Sequence, residues 1–334
     1  MPVYTPPLIH SGANAATLLK ELTGSILAVT MELPWQLLQR QLSWRPAQVH
    51  FVANMDLETV ENLHESLPPF DVIVGIGGGS CCDTAKYLAW RRNARMVLVP
   101  TIISVDAPLT NTIAVRVDGK VRYVGDIFPM EIIVDHTLIR QAPPELNRAG
   151  ACDIASIHTA LYDWRLAHRK TGEPFDADIA TLAADCLREL DEAAAEIYNV
   201  TPRGIDLLVD LFRREVEFCA RLGSSRPEEG SEHIVAYHLE HLTRRHFLHG
   251  DLVGLGIYTM ARLQDNEPNY ALDLIHRCGL RFAVADATLE EIGQCLRRLR
   301  RFKDEAGLFY SVVDVKEVDE GLVQDILQTL RRFR

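Results

Sequence analysis

Residues 72–86, VIVGIGGGSCCDTAK, form the stretch around which the rest of the chain is organised. The stretch begins with the β-branched run Val72-Ile73-Val74, breaks into glycines, and resumes with residues typical of a helix. This order predicts a strand, a tight glycine turn and a helix N-terminus, whose free N–H groups favour a phosphate. The usual dinucleotide fingerprint is G-x-G-x-x-G, whereas Ser80 stands at its sixth position here. The stretch alone is therefore compatible with a pyrophosphate cradle and with a glycine turn that binds nothing.

Apolar runs of strand length surround the glycine stretch. These runs are 26–31, 49–53, 71–76, 96–100 and 131–135. Segments with helical spacing, such as 35–42 and 57–67, lie between the earlier runs. Short, continuously apolar strands that alternate with helices predict a parallel sheet covered on both faces. We therefore expect residues 1–145 to form an α/β, Rossmann-like domain whose ligands lie beyond the carboxyl ends of the strands.

The sequence changes character after the breaker Ala142-Pro143-Pro144. Before this point, the segment 117–123 predicts a β-hairpin, because Asp118-Gly119 is flanked by β-formers. Beyond it, strand signals almost vanish, and segments rich in Ala, Leu, Glu and Arg follow with helical periodicity. The clearest of these segments are 148–166, 177–198 and 202–222. Residues 146–334 are therefore predicted to form an all-α domain.

The composition restricts the class of protein. The chain has 334 residues, of which 47% are hydrophobic, and a formal net charge of −11. This charge argues against a nucleic-acid backbone or an anionic membrane as the main partner. No apolar run approaches the ~20 residues of a membrane-spanning helix, and the N-terminus lacks the pattern of a signal peptide. The seven cysteines include no C-x-x-C pair. A reducing cytoplasm is therefore the expected location.

Three motifs of the second domain contain candidate metal ligands: GACD (150–153), GSEH (230–233) and LHGD (248–251). One carboxylate and two imidazoles from separate helices suit a single divalent metal and leave positions open for substrate oxygens. The same set suits a non-haem iron oxygenase, so it does not fix the reaction. His238 and His241 lie on one helical face and compete as candidates. From spacing alone, surface or core histidines are the simpler interpretation.

The segment VPTIISVDAP (99–108) is a second candidate for ligand binding in the first domain. A strand runs there into a loop with hydroxyl side chains and one acid. Its hydroxyls and backbone amides suit a cofactor phosphate or ribose, and Asp106 suits a substrate hydroxyl. The alternative is an ordinary polar loop closed by Asp106-Ala107-Pro108.

Taken together, these pieces resemble the iron-containing alcohol dehydrogenase superfamily, which includes glycerol dehydrogenases and dehydroquinate synthases. The matching stretches are GGGSCCDTAK (77–86), VPTIISVDAP (99–108), PPELNRAGACD (143–153) and FLHGDLVGLG (247–256). Two further stretches resemble the sn-glycerol-1-phosphate dehydrogenase branch: ALYDWRLAHRKTGEPFD (160–176) and SSRPEEGSEHIVAYHLE (224–240).

The resemblance implies a dehydroquinate synthase-like fold, with a dinucleotide-binding domain, a helical metal-binding domain and a cleft between them. Carried over by motif, the metal ligands are Asp153, His233 and His249, and Asp106 faces the substrate. The resemblance also suggests a homodimer. The implied cofactor-binding residues are Gly77, Gly78, Gly79, Ser80, Asp83, Lys86, Thr101 and Ser104.

The implied activity is a metal-dependent, NAD(P)H-linked interconversion of dihydroxyacetone phosphate and sn-glycerol 1-phosphate. A glycerol or polyol dehydrogenase is one alternative. An NAD-dependent sugar-phosphate cyclase of the dehydroquinate synthase type, with no net redox change, is the other. Zn²⁺, Ni²⁺ and Fe²⁺ all accept the ligand set. For a substrate phosphate, Lys120 and Arg226 are the candidate cations, and a solvated surface charge is the alternative for each.

The choice between NAD and NADP depends on the residues that follow the early strands. A 2′-phosphate favours Arg or Lys there, whereas an acid favours the free ribose hydroxyls. Glu32 follows the first strand, and Asn54 and Asp56 follow the second. We therefore expect NAD to bind at least as well as NADP.

Overall fold

The computed structural model describes residues 6–334, which divide into two compact units. The first unit comprises the chain up to Asn147 together with Val200–Val209. The second unit comprises Arg148–Asn199 and Asp210–Arg334. The boundary expected after residue 145 falls close to the first of these breaks, whereas the return of Val200–Val209 to the first unit was not expected. Within residues 6–334, no helix has the length and apolar character that crossing a membrane requires.

The first unit is built on a six-stranded sheet in which every pairing is parallel. The strands of the unit, in chain order, are β1 (Leu8–Gly12), β2 (Ile26–Thr30), β3 (Gln48–Phe51), β4 (Val72–Gly77), β5 (Arg95–Pro100), β6 (Thr112–Val117), β7 (Lys120–Asp126) and β8 (Glu131–Asp135). The strand order in the sheet is β1-β8-β5-β4-β2-β3, and β6 and β7 form a separate antiparallel ribbon. The five predicted strands are confirmed, whereas β1 was not predicted.

Helices cover both faces of this sheet, as the alternating pattern predicted. The helices of the first part of the chain are α1 (Glu32–Gln41), α2 (Leu57–Ser66), α3 (Gly79–Arg92), α4 (His136–Ile139) and α5 (Pro144–Arg148), with a 3₁₀ helix at Ala15–Glu21. One core cluster contains Val60 of α2 and Leu88 of α3, together with Ile73 of β4. The other contains Leu38 of α1 and Leu19 of the 3₁₀ helix. The sheet is therefore a buried central layer, which explains its continuous β-branched runs.

The predicted hairpin is confirmed as the β6–β7 ribbon. Asp118 and Gly119 form its turn with φ angles of 52° and 71°. Positive φ at both central residues is the requirement of a type I′ turn, which Asp-Gly meets at low cost.

The second unit is helical, and within the described residues no strand follows β8. Its helices are α6 (Ala151–Thr171), α7 (Ala177–Glu192), α8 (Ala194–Tyr198), α9 (Pro202–Leu222, whose first residues belong to the first unit), α10 (Ser231–Thr243), α11 (His249–Gln264), α12 (Pro268–Arg277), α13 (Leu289–Arg297), α14 (Leu299–Ala306) and α15 (Glu320–Leu330), with a 3₁₀ helix at Val312–Asp314. Helices α6 and α11 are buried along most of their length, so they form the centre of the unit. The predicted combination of an α/β and an all-α part is confirmed.

Candidate functional site

The glycine turn lies at the carboxyl end of β4, between Gly77 and the start of α3. Gly77 has φ +149°, and a Cβ there would lie 2.5 Å from Cys81 Sγ. A Cβ on Gly78 would lie 2.8 Å from Cδ1 of Ile102. The chain passes from β2 to β3 on one side and then to β4 on the other side of β2, so the turn stands at a topological switch point. The bare backbone and the N-terminus of α3 together suit a pyrophosphate.

The loop after β5 lies against the glycine turn. The Thr101 N–H donates a 3.1 Å hydrogen bond to the Gly77 carbonyl. Thr101 and Ser104 are both buried, whereas Ser80 is exposed at the start of α3. The structure therefore brings together the two segments that were predicted to bind the cofactor. Asp106 is half-buried, and its carbonyl oxygen accepts from the N–H groups of the third and fourth residues after it, which closes the loop into a turn.

Asp83 and Lys86 form a buried ion pair on α3, with 2.7 Å between Lys86 Nζ and Asp83 Oδ1. The same ammonium donates to the carbonyl oxygens of Thr112, at 2.5 Å, and Thr110, at 3.4 Å. Burial raises the pKa of the Asp83 carboxyl, and the Lys86 charge opposes that rise. Since Lys86 is fully buried, its placement favours a structural role, in which it fastens strand β6 to α3, over the predicted cofactor contact.

The three predicted metal ligands lie together in the second unit. Asp153 is the third residue of α6, His233 the third residue of α10, and His249 the first residue of α11. One ligand atom from each lies within 4.8 Å of the other two. The Nε2 atom of His249 is 3.4 Å from Oδ1 of Asp153. Ligands of one tetrahedral ion at ~2.1 Å stand about 3.4 Å apart, so this pair already has the required spacing.

Glycines allow the three helix starts to meet. A Cβ on Gly230 would lie 2.9 Å from the Ala160 Cα of α6. A Cβ on Gly256 would lie 2.2 Å from the carbonyl oxygen of Glu232, where α11 crosses α10. A Cβ on Gly250 would lie 2.2 Å from the carbonyl oxygen of Ala149, next to the start of α6. Any larger residue would separate these backbones, so the close packing that assembles the ligands depends on glycine.

The electrostatics of the cluster favour a cation. Asp153 Oδ1 is buried and accepts no hydrogen bond from any residue that the structure describes. Burial by itself lowers the pKa of His233. The hydrogen bond to Glu232 and the charges of Glu229, Glu232 and Asp153 outweigh burial and raise that pKa to about 9. A buried carboxylate oxygen without a donor is costly, and a metal ion would satisfy it. The residues therefore fit one divalent cation.

The competing histidines lie elsewhere in the second unit. His238 stacks on Phe302 with 4.5 Å between ring centroids, and His241 lies 5.4 Å from the same ring. Burial, as the largest effect, lowers the pKa of His238 to about 4. His246 is exposed, 3.5 Å from Glu240. None of these three belongs to the Asp153 cluster found among the described residues.

The two candidate phosphate-binding cations differ in their surroundings. Arg226 is 1% exposed and makes two 2.6 Å hydrogen bonds to the Glu173 carboxylate. It also donates to the Tyr310 carbonyl and lies over the Phe309 ring. Its guanidinium is therefore buried and paired within the second unit, which contradicts the alternative of a solvated surface charge. Lys120 is exposed at the first position of β7.

Glu232 is a site residue to which the sequence did not lead us to assign a role. Its carboxylate is fully buried, and Oε1 lies 3.0 Å from Nδ1 of His233. The signal was present in the GSEH motif, because an acid directly precedes a candidate ligand. Adjacency alone did not reveal the contact, since successive side chains on a helix do not normally face each other.

The chain is similar to known proteins in both sequence and fold. A family model described as iron-containing alcohol dehydrogenase matches residues 14–143. The glycerol-1-phosphate dehydrogenase (NAD(P)+) of Hyperthermus butylicus is 34% identical over 284 residues, which cover 84% of this chain and 79% of that relative. The enzyme of the same name from Aeropyrum pernix is 30% identical, with the same coverage of both chains.

The solved structures extend the likeness to the whole fold. An iron-containing alcohol dehydrogenase from Corynebacterium glutamicum superposes with a TM-score of 0.71, covering 97% of this chain and 94% of that one. Its sequence is only 17% identical, so this likeness concerns the fold alone.

Proposed function

Because the chain belongs to the glycerol-1-phosphate dehydrogenase branch of the iron-containing alcohol dehydrogenase superfamily, we propose that it interconverts dihydroxyacetone phosphate and sn-glycerol 1-phosphate. The observation that carries the proposal is the Asp153–His233–His249 cluster in the second unit. The first unit adds a glycine turn suited to a pyrophosphate. Each unit thus offers a candidate site for one of the two components that metal-assisted hydride transfer requires.

The proposal assigns roles to residues of both units. A divalent cation supplies Lewis-acid polarisation of the substrate oxygen, and a nicotinamide dinucleotide supplies or accepts the hydride. Asp153, His233 and His249 would hold the cation, and a set of three protein ligands leaves positions for substrate oxygens. In the first unit, the N-terminus of α3 and the hydroxyls of the loop after β5 would bind the cofactor phosphates and ribose. Asp106 would accept a hydrogen bond from a substrate hydroxyl.

The substrate phosphate distinguishes this proposal from a polyol dehydrogenase. The relatives are named for a phosphorylated substrate, and charge-assisted hydrogen bonds to a phosphate contribute about 1.5–3 kcal/mol each. Lys120, as an exposed cation, stays a candidate contact. We expect kcat/KM for dihydroxyacetone phosphate to exceed that for dihydroxyacetone by at least about a hundredfold.

The experiment measures reduction of both ketones at saturating NADH, with cofactor oxidation followed against product formed. Equal kcat/KM values for the two ketones would favour a glycerol or polyol dehydrogenase. A phosphorylated product formed without net oxidation of NADH would favour the cyclase type of reaction.

The nucleotide preference belongs to the same proposal. Glu32 begins α1 and accepts a 2.7 Å hydrogen bond from Gln36, so its carboxylate has a partner on its own helix. Asn54, Thr59 and Thr84 line a cavity of about 350 Å³, whose lining residues in the described chain include no lysine or arginine. This cavity has room for an adenosine, but its lining offers no cation that would pair with a 2′-phosphate. We expect NAD to bind at least as tightly as NADP. Titration of the wild type and Glu32→Ala with both nucleotides tests this, and a clear NADPH preference would contradict it.

The proposal also includes the kind of metal ion and the oligomeric state. Zn²⁺, Ni²⁺ and Fe²⁺ all suit one carboxylate and two imidazoles, so reconstitution of the metal-stripped protein with each ion, with activity as the readout, selects among them. The expected homodimer is tested by light scattering of the protein in solution. The cytoplasmic location stays an expectation from the cysteine pattern.

A further inference from the structure

Glu232 holds the imidazole of His233 from behind the candidate metal centre. Its Oε1 atom lies 3.0 Å from Nδ1 of His233, which leaves Nε2 as the ring nitrogen for a metal. Glu232 is fully buried, so this contact is shielded from water.

The carboxylate of Glu232 is itself fixed at both oxygens. The Gly230 N–H donates to Oε1 at 2.5 Å, and the Thr159 hydroxyl donates to Oε2 at 2.6 Å. Its backbone is fixed as well, because α11 approaches the Glu232 carbonyl so closely that Gly256 has no room for a Cβ. The Glu232 carboxylate is therefore held in one position. The hydrogen bond to it in turn fixes the orientation of the His233 imidazole.

The hydrogen-bond pattern also fixes the tautomer of His233. A carboxylate has no proton to donate, so Oε1 of Glu232 accepts both from the Gly230 N–H and from His233. The proton in the contact with His233 must then lie on Nδ1. Nε2 is then the nitrogen that binds a cation, and the adjacent carboxylate makes that nitrogen a stronger ligand.

His249 provides a contrast within the same cluster. Its side chain is 33% exposed, and its ion-pair and ring contacts within the described chain are with the Asp153 carboxylate and the His233 ring, which are themselves members of the cluster. We infer that Glu232 is the positioning residue of the centre, which orients His233 and sets its tautomer so that Nε2 binds the metal. This inference rests on the proposed metal centre.

Two variants separate the charge of Glu232 from its hydrogen bonds. In Glu232→Gln, the amide oxygen can still accept from His233 and Gly230 while the amide N–H₂ turns to Thr159, so only the charge is lost. Glu232→Ala removes the contact altogether. Outer-shell partners of metal ligands typically contribute 10–100-fold to metal affinity. We expect Zn²⁺ affinity to fall roughly tenfold in Glu232→Gln and roughly a hundredfold in Glu232→Ala.

Asp163→Asn is the matched control. Asp163 is also a fully buried acid, and it holds the same helix start by accepting from the Ser231 N–H and hydroxyl at 2.8 and 2.5 Å. Within the described chain, Asp163 forms no hydrogen bond with His233 that would orient the ring. This variant should lower the stability of the protein while Zn²⁺ affinity and the visible spectrum of the Co²⁺-loaded protein stay those of the wild type.

The measurement is competition of metal-stripped protein with a chromophoric chelator for Zn²⁺, with His233→Ala run alongside. The inference is overturned if both Glu232 variants bind Zn²⁺ like the wild type while His233→Ala does not. It is also overturned if Asp163→Asn weakens binding as much as Glu232→Ala, since the effect would then be general loosening. Normal Zn²⁺ binding by His233→Ala would instead show that the proposed metal centre is wrong. If Glu232→Ala does not fold, the isosteric Glu232→Gln decides.

Discussion

Asp83 in the first unit and Asp153 in the second are both buried acids near the start of a helix, yet their surroundings differ. Asp83 has the Lys86 ammonium at 2.7 Å, which compensates its charge within the protein. Asp153 forms no ion pair with a lysine or arginine of the described chain; its neighbours are two imidazoles, of which His249 Nε2 lies 3.4 Å from Oδ1. A buried charge must be compensated. The acid paired with a lysine is therefore structural, whereas the acid that has only imidazoles beside it marks the place where a cation from outside the chain belongs.

The largest effect is expected from Asp153→Asn, which removes a charge that the metal requires. Loss of the Lewis acid should lower activity by at least about a thousandfold, equivalent to about 4 kcal/mol of transition-state stabilisation. The free energy of unfolding of the metal-free protein should fall by no more than about 1 kcal/mol, because the partners of this carboxylate are the His249 and His233 imidazoles rather than a lysine or arginine. Steady-state kinetics and urea denaturation check the two parts. A large loss of metal-free stability would mean that Asp153 is structural.

Asp83→Asn should instead lower the free energy of unfolding, because it leaves the Lys86 ammonium buried without its counter-charge. Breaking one side of a buried pair costs about 3–5 kcal/mol, and the carbonyls that Lys86 also contacts place the expected loss near 3 kcal/mol. Urea denaturation of Asp83→Asn, of Lys86→Met and of the double variant measures it. The double variant should lose less than the sum of the single variants. Unchanged stability with weakened NAD binding would instead restore the predicted cofactor role of both residues.

Gly78→Val tests the glycine turn of the first unit and should weaken NAD binding by roughly tenfold or more, since a side chain would push the ligand from the backbone. The same side chain would meet Ile102, so an internal clash must be separated from a ligand effect. Combining the change with Ile102→Ala relieves that clash. Fluorescence titration with NADH should show weak binding in both variants. Recovery of affinity in the double variant would show that Gly78 serves internal packing rather than the cofactor.

His238 extends the comparison to a buried group that stays neutral. Burial lowers its pKa to about 4, below the ordinary value of 6.5 in the unfolded chain. The stability that the neutral His238 ring contributes is therefore fully present above pH 6.5, and it is lost as the pH falls towards 4. The effect should be on the order of 1 kcal/mol. The free energy of unfolding should fall more steeply between pH 6.5 and 4.5 in the wild type than in His238→Phe. Parallel curves would show that His238 is not buried as a neutral ring.

The sheet was predictable because its central strands are buried on both faces and read as continuous apolar runs. Strand β1 was not, because its sequence LIHSG mixes apolar and polar residues at the edge of the sheet, where alternation is weak. The hairpin and the helices of the second unit followed from local rules, the Asp-Gly turn and the helical period. Helices, strands and turns that are determined by residues close together in the sequence could thus be predicted.

The site was predictable only in part. The three ligands came from motif resemblance, because Asp153 and His233 are far apart in sequence and only glycine-mediated helix packing brings them together. The Asp83–Lys86 pair was visible in principle at i, i+3 spacing. The bonds of Arg226 to Glu173 join residues 53 positions apart, so the sequence showed a charge but not its partner.

The most direct test of the account is calorimetric titration of the metal-stripped protein with Zn²⁺, beside His233→Ala and His249→Ala. We expect one high-affinity site per chain in the wild type and its loss in both variants, with circular dichroism showing that both variants stay folded. Stoichiometric Zn²⁺ binding of wild-type affinity in either variant would contradict the assignment of Asp153, His233 and His249 as the metal centre.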